Sequence, residues 1–127
     1  MRITRLDHLV LTVADLEATV EFYTRALGMT VRAFAGGRLA MRFGDQKINL
    51  HEAGREFEPK ARVPAPGSAD LCFVVEQPLS EWQEHLEELG VPVIAGPVPR
   101  DGALGPMTSI YARDPDGNLI ELATYTR

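Results

Sequence analysis

The chain has 127 residues, 45% of them hydrophobic, with thirteen basic and eighteen acidic side chains for a formal net charge of −5. That length suits one compact domain, and the charge excludes nucleic acid or an anionic membrane surface as a main partner, so an anionic substrate must be met by locally placed Arg or Lys. Apolar runs of only about five residues fall far short of the roughly 20 needed to cross a bilayer, the start of the chain has no apolar secretory region, and the single cysteine, Cys72, allows no intrachain disulfide. The expectation is a cytoplasmic protein.

The first strand is predicted at Asp7-His8-Leu9-Val10-Leu11-Thr12-Val13, where period-two alternation puts Leu9, Leu11 and Val13 on one face and His8, Val10 and Thr12 on the other. The wholly apolar face is the packed one. Asp15 stands where an N-cap belongs; Leu16, Val20, Tyr23 and Leu27 then recur at helical spacing until Gly28 supplies a stop. Strand-like stretches follow at Leu39 to Phe43 and Ile48 to His51, after a weaker strand. Arg55 to Ser68, with Pro59, Pro64, Pro66 and Gly67, reads as a linker laid over the sheet.

A second round begins at Ala69-Asp70-Leu71-Cys72-Phe73-Val74-Val75. Ser80 and Gln83 are spaced as a capping box, and Trp82, Leu86 and Leu89 form one helical stripe ending at Gly90. His85 falls on the polar side of this helix. Pro97 to Pro106 reads as an irregular stretch and a candidate lid. Strands are expected at Met107 to Ala112 and Leu119 to Thr124, joined by the turn signal Asp114-Pro115-Asp116-Gly117-Asn118.

The two rounds are copies of one pattern. His8 lies 20 residues before Gly28 and Asp70 lies 20 before Gly90, so both landmarks repeat with a shift of 62. The duplication pairs His8 with Asp70 and Asn49 with Glu121, four polar side chains on faces opposite to apolar ones. Joined about a pseudo-twofold axis, the modules bring His8, Asp70 and Glu121 toward one centre, where imidazole and carboxylate suit zinc, nickel, iron or manganese. His51, on the face of Asn49, adds a second imidazole. Each residue also has a plain structural reading: a lone strand His is commonly a satisfied core group, Asp7 and Asp70 are ordinary at strand entrances, and Cys72 reads as a small buried apolar residue.

Leu6-Asp7-His8-Leu9-Val10-Leu11-Thr12-Val13, Phe22-Tyr23 before Leu27-Gly28-Met29, and above all Asp114-Pro115-Asp116-Gly117-Asn118-Leu119-Ile120-Glu121-Leu122 resemble the vicinal oxygen chelate superfamily, which includes glyoxalase I, fosfomycin-inactivating thiol transferases, extradiol dioxygenases and bleomycin resistance proteins. Gln46 to His51, Phe57 to Ala61 and Pro66 to Phe73 are similar to a subgroup labelled glyoxalase-domain-containing protein 5 or virulence-associated. The resemblance implies an α+β fold of two βαβββ modules with curled mixed sheets around a shared cavity. It makes residues 1–127 a single domain, with module one at 4–54, a linker at 55–68 and module two at 69–126. It also implies a homodimer and puts ligand positions at His8, Asn49, Asp70 and Glu121. Asn49 stands where glyoxalase I has a glutamate that moves the substrate proton, and a neutral amide cannot act as a general base.

Two functions follow as expectations. The first is an enzyme holding one divalent metal ion (Zn, Ni, Fe or Mn) on His8, Asp70 and Glu121, with His51 and Glu121 in catalytic roles and a small oxygenated substrate contacted by Asn49, Arg42, Thr12 and Tyr111. Lys47 and Arg100 are further attractors for an anionic substrate. A glyoxalase-type lyase or isomerase suits this set better than an extradiol dioxygenase, which needs two His and one carboxylate. The alternative is a metal-free protein that binds an antibiotic or toxin in the manner of bleomycin resistance.

Overall fold

In a computed structural model of the protein, which describes residues 1–126, the chain forms two compact units, one through Gly67 and one from Ser68 onward. Each runs strand, helix and three strands. Unit one holds β1 (His8–Val13), α1 (Leu16–Arg25), β2 (Thr30–Phe34), β3 (Arg38–Phe43) and β4 (Gln46–Glu52). Unit two repeats the order as β5 (Asp70–Val74), α2 (Leu79–Glu88), β6 (Ala95–Gly102), β7 (Gly105–Arg113) and β8 (Leu119–Tyr125). The fold is α+β, two βαβββ modules with one open, mixed four-stranded sheet each.

Strand order is β1-β4-β3-β2 in the first sheet and β5-β8-β7-β6 in the second. In both, the first strand pairs parallel with the last, and the later strands form an antiparallel meander. A parallel neighbour requires a crossover, and the helix supplies it. Both helices end on a local signal, and α1 also begins on one. Asp15 Oδ1 accepts from Ala18 N at 3.1 Å as the N-cap of α1, and Gly28 takes φ +69°, as Gly90 does at +72° after α2. At α2 the expected capping box is corrected: the N-cap is Pro78, without a side-chain cap, and Ser80 lies inside the first turn.

α1 packs on the sheet face carrying Leu11, Val13, Met41, Ile48 and Leu50, all 5% exposed or less. Tyr23, fully buried, is its main anchor, with Thr19 beside it. α2 packs on β7 and β8 through Leu79 and Leu86, above Ile110, Ile120 and Leu122. Burying one such side chain contributes about 1.5–3 kcal/mol, so these cores fix which face of each sheet is left without a helix.

Pro97 to Pro106 is not the expected irregular lid. It is most of the β6–β7 hairpin, with pairs Val98 to Ser109 and Gly102 to Gly105. β6 is an edge strand, where Pro97 and Pro99 can lack an N–H without breaking a central ladder. The hairpin fits tightly at Gly96, whose φ is +99° and where a Cβ would run into the Ser109 carbonyl and Ile110 Cα.

The Asp114-to-Asn118 turn is a buried polar knot. Asp114 Oδ1 accepts from Asp116 N and Asn118 N, both at 2.9 Å, and Oδ2 accepts from Asn118 Nδ2 at 2.7 Å. Asn118 Oδ1 in turn accepts from Ala69 N at 2.8 Å. The turn thereby ties the start of β5 to the start of β8, and so sets Asp70 and Glu121 on adjacent strands.

Candidate functional site

The helix-free face of sheet one carries His8, Val10 and Thr12 from β1 beside Lys47, Asn49 and His51 from β4, paired in that order. Ala40 and Arg42 of β3 continue the rows of Asn49 and Lys47. The corresponding face of sheet two carries Asp70, Cys72 and Val74 of β5, paired with Leu119, Glu121 and Ala123 of β8. Ser109 and Tyr111 of β7 lie opposite Ala123 and Glu121. Period two thus delivers the polar residues expected of each module to its helix-free face.

His8 does not stand alone. Its Nδ1 lies 2.7 Å from Asp7 Oδ1. That hydrogen bond, helped by the charges of Arg5 and Lys47, holds the Asp7 carboxyl below the usual carboxylate range. An ionised Asp7 accepts from Nδ1 and leaves Nε2 as the nitrogen turned to a ligand, the arrangement by which carboxylates orient metal-binding histidines.

Glu121 is half-buried and its Oε2 accepts from Ser109 Oγ at 2.6 Å. Its neighbour Cys72 is exposed, which corrects the expectation of a buried apolar role. Partial burial, then the Glu121 charge, push the thiol up to about 11. A thiol held protonated is a poor nucleophile and a poor metal ligand. Asp70 is exposed at the head of β5.

His51 is 7% exposed, with its ring edge-on to Phe57 at 5.6 Å, and Arg38 stacks on the same Phe57 at 4.2 Å. Phe57 therefore lies against the helix-free face of sheet one. Asn49 Oδ1 is buried without a hydrogen-bond partner. Arg100 is engaged: its Nε donates to Tyr111 Oη at 2.7 Å and its Nη1 to Pro99 O at 2.8 Å. His85, expected on a solvated helix face, is half-buried and edge-on to Trp82 at 5.9 Å.

No three His, Cys, Asp or Glu side chains among the described residues gather closely enough to hold a metal ion. Each module does carry one supported donor: His8, with Nδ1 against Asp7, in the first, and Glu121, with one oxygen held by Ser109, in the second. Sequence reasoning missed both supporting residues. Asp7 was legible only as a strand-entrance residue, and Ser109 depends on the β7–β8 register, which no local pattern announces.

The Glyoxalase/Bleomycin resistance protein/Dioxygenase superfamily profile matches residues 5–122. The chain belongs to that superfamily. It is 58% identical over 125 residues to the Glyoxalase domain-containing protein RDO1 of Mycosarcoma maydis, covering 98% of this chain and 70% of that one. To the virulence protein STM3117 of Salmonella typhimurium it is 51% identical, covering 98% and 87%, and the crystal structure of that protein superposes with a TM-score of 0.97 over 99% of this chain and all of the other. An integron cassette protein from the mobile metagenome of V. cholerae gives the same TM-score at 56% identity, covering 99% and 98%. More distant relatives include an ethylmalonyl-CoA/methylmalonyl-CoA epimerase of Cereibacter sphaeroides, 31% identical over 94% of this chain and 97% of that one, and the metallothiol transferase FosB of Staphylococcus epidermidis, 28% identical over 99% and 85%.

Proposed function

We propose that this protein is a divalent-metal-dependent enzyme of glyoxalase type acting on a small oxygenated substrate. The observation that carries the reading is the pair of supported donors: His8 oriented by Asp7 at 2.7 Å, and Glu121 by Ser109 at 2.6 Å. Each partner fixes one side of its donor and leaves the other side, His8 Nε2 and Glu121 Oε1, for a ligand. His8, Asp70 and Glu121 would hold the ion. This requires the helix-free faces of module one and module two to meet, within one chain or across a homodimer, with residues 1–127 acting as one functional domain. A bound divalent cation would act as a Lewis acid toward vicinal oxygens of the substrate.

The chain's own residues supply the rest. His51 is the candidate proton carrier, its ring fixed against Phe57 and largely shielded from water. Glu121 keeps lone pairs beyond the one Ser109 occupies, so it can also accept a proton. Asn49 offers the substrate an acceptor and cannot serve as a base. Arg42, Thr12 and Tyr111 position the substrate. The named activities of the superfamily relatives, an epimerase and a metallothiol transferase, favour proton or group transfer over oxygen chemistry.

A metal-free binding protein is the second reading, favoured by Val10 and Val74, which are 45% and 61% exposed on the helix-free faces and suit an apolar ligand. Elemental mass spectrometry on protein purified without chelator or affinity tag, beside a His8→Ala, Glu121→Gln double variant, separates the two. About one metal per subunit, lost in the variant, supports the enzyme. No metal in either, even after incubation with each ion, leaves the binding protein.

A further inference from the structure

Across the helix-free face of sheet one, His8 of β1 pairs with Lys47 of β4, Lys47 with Arg42 of β3, and Arg42 with Thr30 of β2. Two permanent cations therefore stand directly opposite each other, an arrangement that costs stability. One row along, Ala40 pairs with Arg32, and Arg38 of β3 pairs with Phe34. Arg32, Arg38, Arg42 and Lys47 share a face on which the paired positions hold no carboxylate, in a protein whose net charge is −5.

Three ordinary explanations fail. Lysines that guard sheet edges belong on edge strands, but β3 and β4 are the central strands of this sheet. Ion pairing does not hold the row, because neither Lys47 nor Arg42 has an acidic partner within 4 Å among the described residues. The nearest relevant carboxylate, Asp7, feels the Lys47 charge but is taken by His8. Nor does the duplicated architecture require the row. In module two the matching positions are Asp70, Leu119 and Arg113, and Arg113 is used structurally, donating to Gly117 O at 3.2 Å across its turn.

One of the two cations is nonetheless held in place. The Lys47 ammonium sits 4.3 Å from the centre of the Phe34 ring, which fixes it by cation–π attraction. On the same strand, two residues along, Asn49 leaves a buried Oδ1 without a donor. Positions i and i+2 lie about 7 Å apart, so one small molecule can put an anionic head on Lys47 and Arg42 and a hydroxyl on Asn49.

We infer that Lys47 and Arg42 form the seat for the acid group of the substrate, a small organic acid bearing a hydroxyl. The inference rests on the proposed enzyme's use of this face and names the substrate class. The shared chemistry is an oxyanion head, carboxylate or phosphonate.

The test is an amide NMR titration of the full chain at low and high salt with 3-hydroxybutyrate, methylphosphonate and the neutral butane-1,3-diol. It is run on wild type and on a Lys47→Gln, Arg42→Gln variant, with metal content measured on the same samples. The expected result is saturable shifts at His8, Thr30, Arg42, Lys47 and Asn49 with at least one acid, weakened by salt and about tenfold or more weaker in the variant. Whichever acid saturates first names the head. No saturation by either acid, saturation equal in wild type and variant, or equal response to the diol overturns the inference. If that happens while metal is bound and lost with His8 and Glu121, the metal reading stands without this seat. Acid binding at the row in protein that takes up no metal leaves the seat standing and removes the metal reading.

Discussion

Asp7 Oδ1 approaches His8 Nδ1 at 2.7 Å although the two residues are adjacent in sequence. Neighbours within a strand point to opposite faces, but Asp7 precedes the first residue of β1, so its side chain can turn back beside the ring. The contact engages Nδ1 and leaves Nε2 as the nitrogen available to a ligand.

Asp7→Asn keeps the shape and removes the charge that orients the imidazole. Loss of such a partner typically weakens metal binding 10–100-fold. Competition titration with a chromogenic chelator should show that loss with the circular dichroism spectrum unchanged. Unaltered affinity would sink the assignment of Asp7 as a positioning residue.

Cys72 gives a pH prediction. With its thiol pushed up from 9.0 to about 11 by partial burial and then by Glu121, roughly one in a thousand is ionised at pH 8, against about a tenth for the unshifted thiol. Alkylation by iodoacetamide should therefore be slow despite exposure, and Glu121→Gln should speed it by removing the neighbouring charge. The folded state binds this proton more tightly than the unfolded state. Its stabilising effect is thus fully present below the unfolded value near 9 and is lost as pH rises toward about 11. Fast alkylation of the folded wild type at pH 8 would contradict this.

Asn118 is 1% exposed and bridges Asp114 Oδ2 at 2.7 Å to Ala69 N at 2.8 Å. Asn118→Ala removes the acceptor of the Ala69 N–H and one donor to Asp114 Oδ2, at a cost of about 1–3 kcal/mol. Urea unfolding followed by the fluorescence of Trp82, the sole tryptophan, should show it as a lower midpoint. A shift under about 1 kcal/mol would mean that water replaces the bridge.

Gly96→Ala combines a left-handed backbone with a clash against Ser109 O and Ile110 Cα. Backbone strain of this kind costs about 1–3 kcal/mol. The same carbonyl belongs to the residue that holds Glu121, so metal content should fall along with stability. Loss of stability with metal content intact would uncouple the hairpin from the site.

Much of this was legible from alternation and helical spacing, because burial on one face writes itself into the sequence. His8, Asn49, His51, Asp70 and Glu121 were each placed on the correct strand face by period two alone. Most failures come from local chemistry overruled by neighbours distant in sequence. Pro97, Pro99, Gly102 and Gly105 signal irregular chain, yet β6 pairs with β7 at a sheet edge that tolerates proline. Ser80 is a good cap by type, but the helix starts earlier, at Leu79 behind Pro78. Cys72 belongs to a residue type usually buried, yet its strand turns it to the helix-free face beside Glu121. The row of Lys47 and Arg42 was invisible as a row, since register between β3 and β4 is a tertiary fact.

That row yields the sharpest contrast between structure and function. If Lys47 and Arg42 served the fold, replacing either would destabilise the protein. If they are kept for an anion, each opposes its neighbour in the free protein, and Arg42→Gln should be neutral or raise stability by a few tenths of a kcal/mol. The internal control is Arg113→Gln, at the matching position of module two, which forfeits the hydrogen bond to Gly117 O and should cost about 0.5–1.5 kcal/mol. Salt should shrink the gain from Arg42→Gln, because screening weakens the repulsion it relieves, while the loss at Arg113 changes little. Urea midpoints for the two variants at low and high salt read both effects together. Destabilisation by Arg42→Gln equal to that of Arg113→Gln would return the row to the fold and take the anion seat with it.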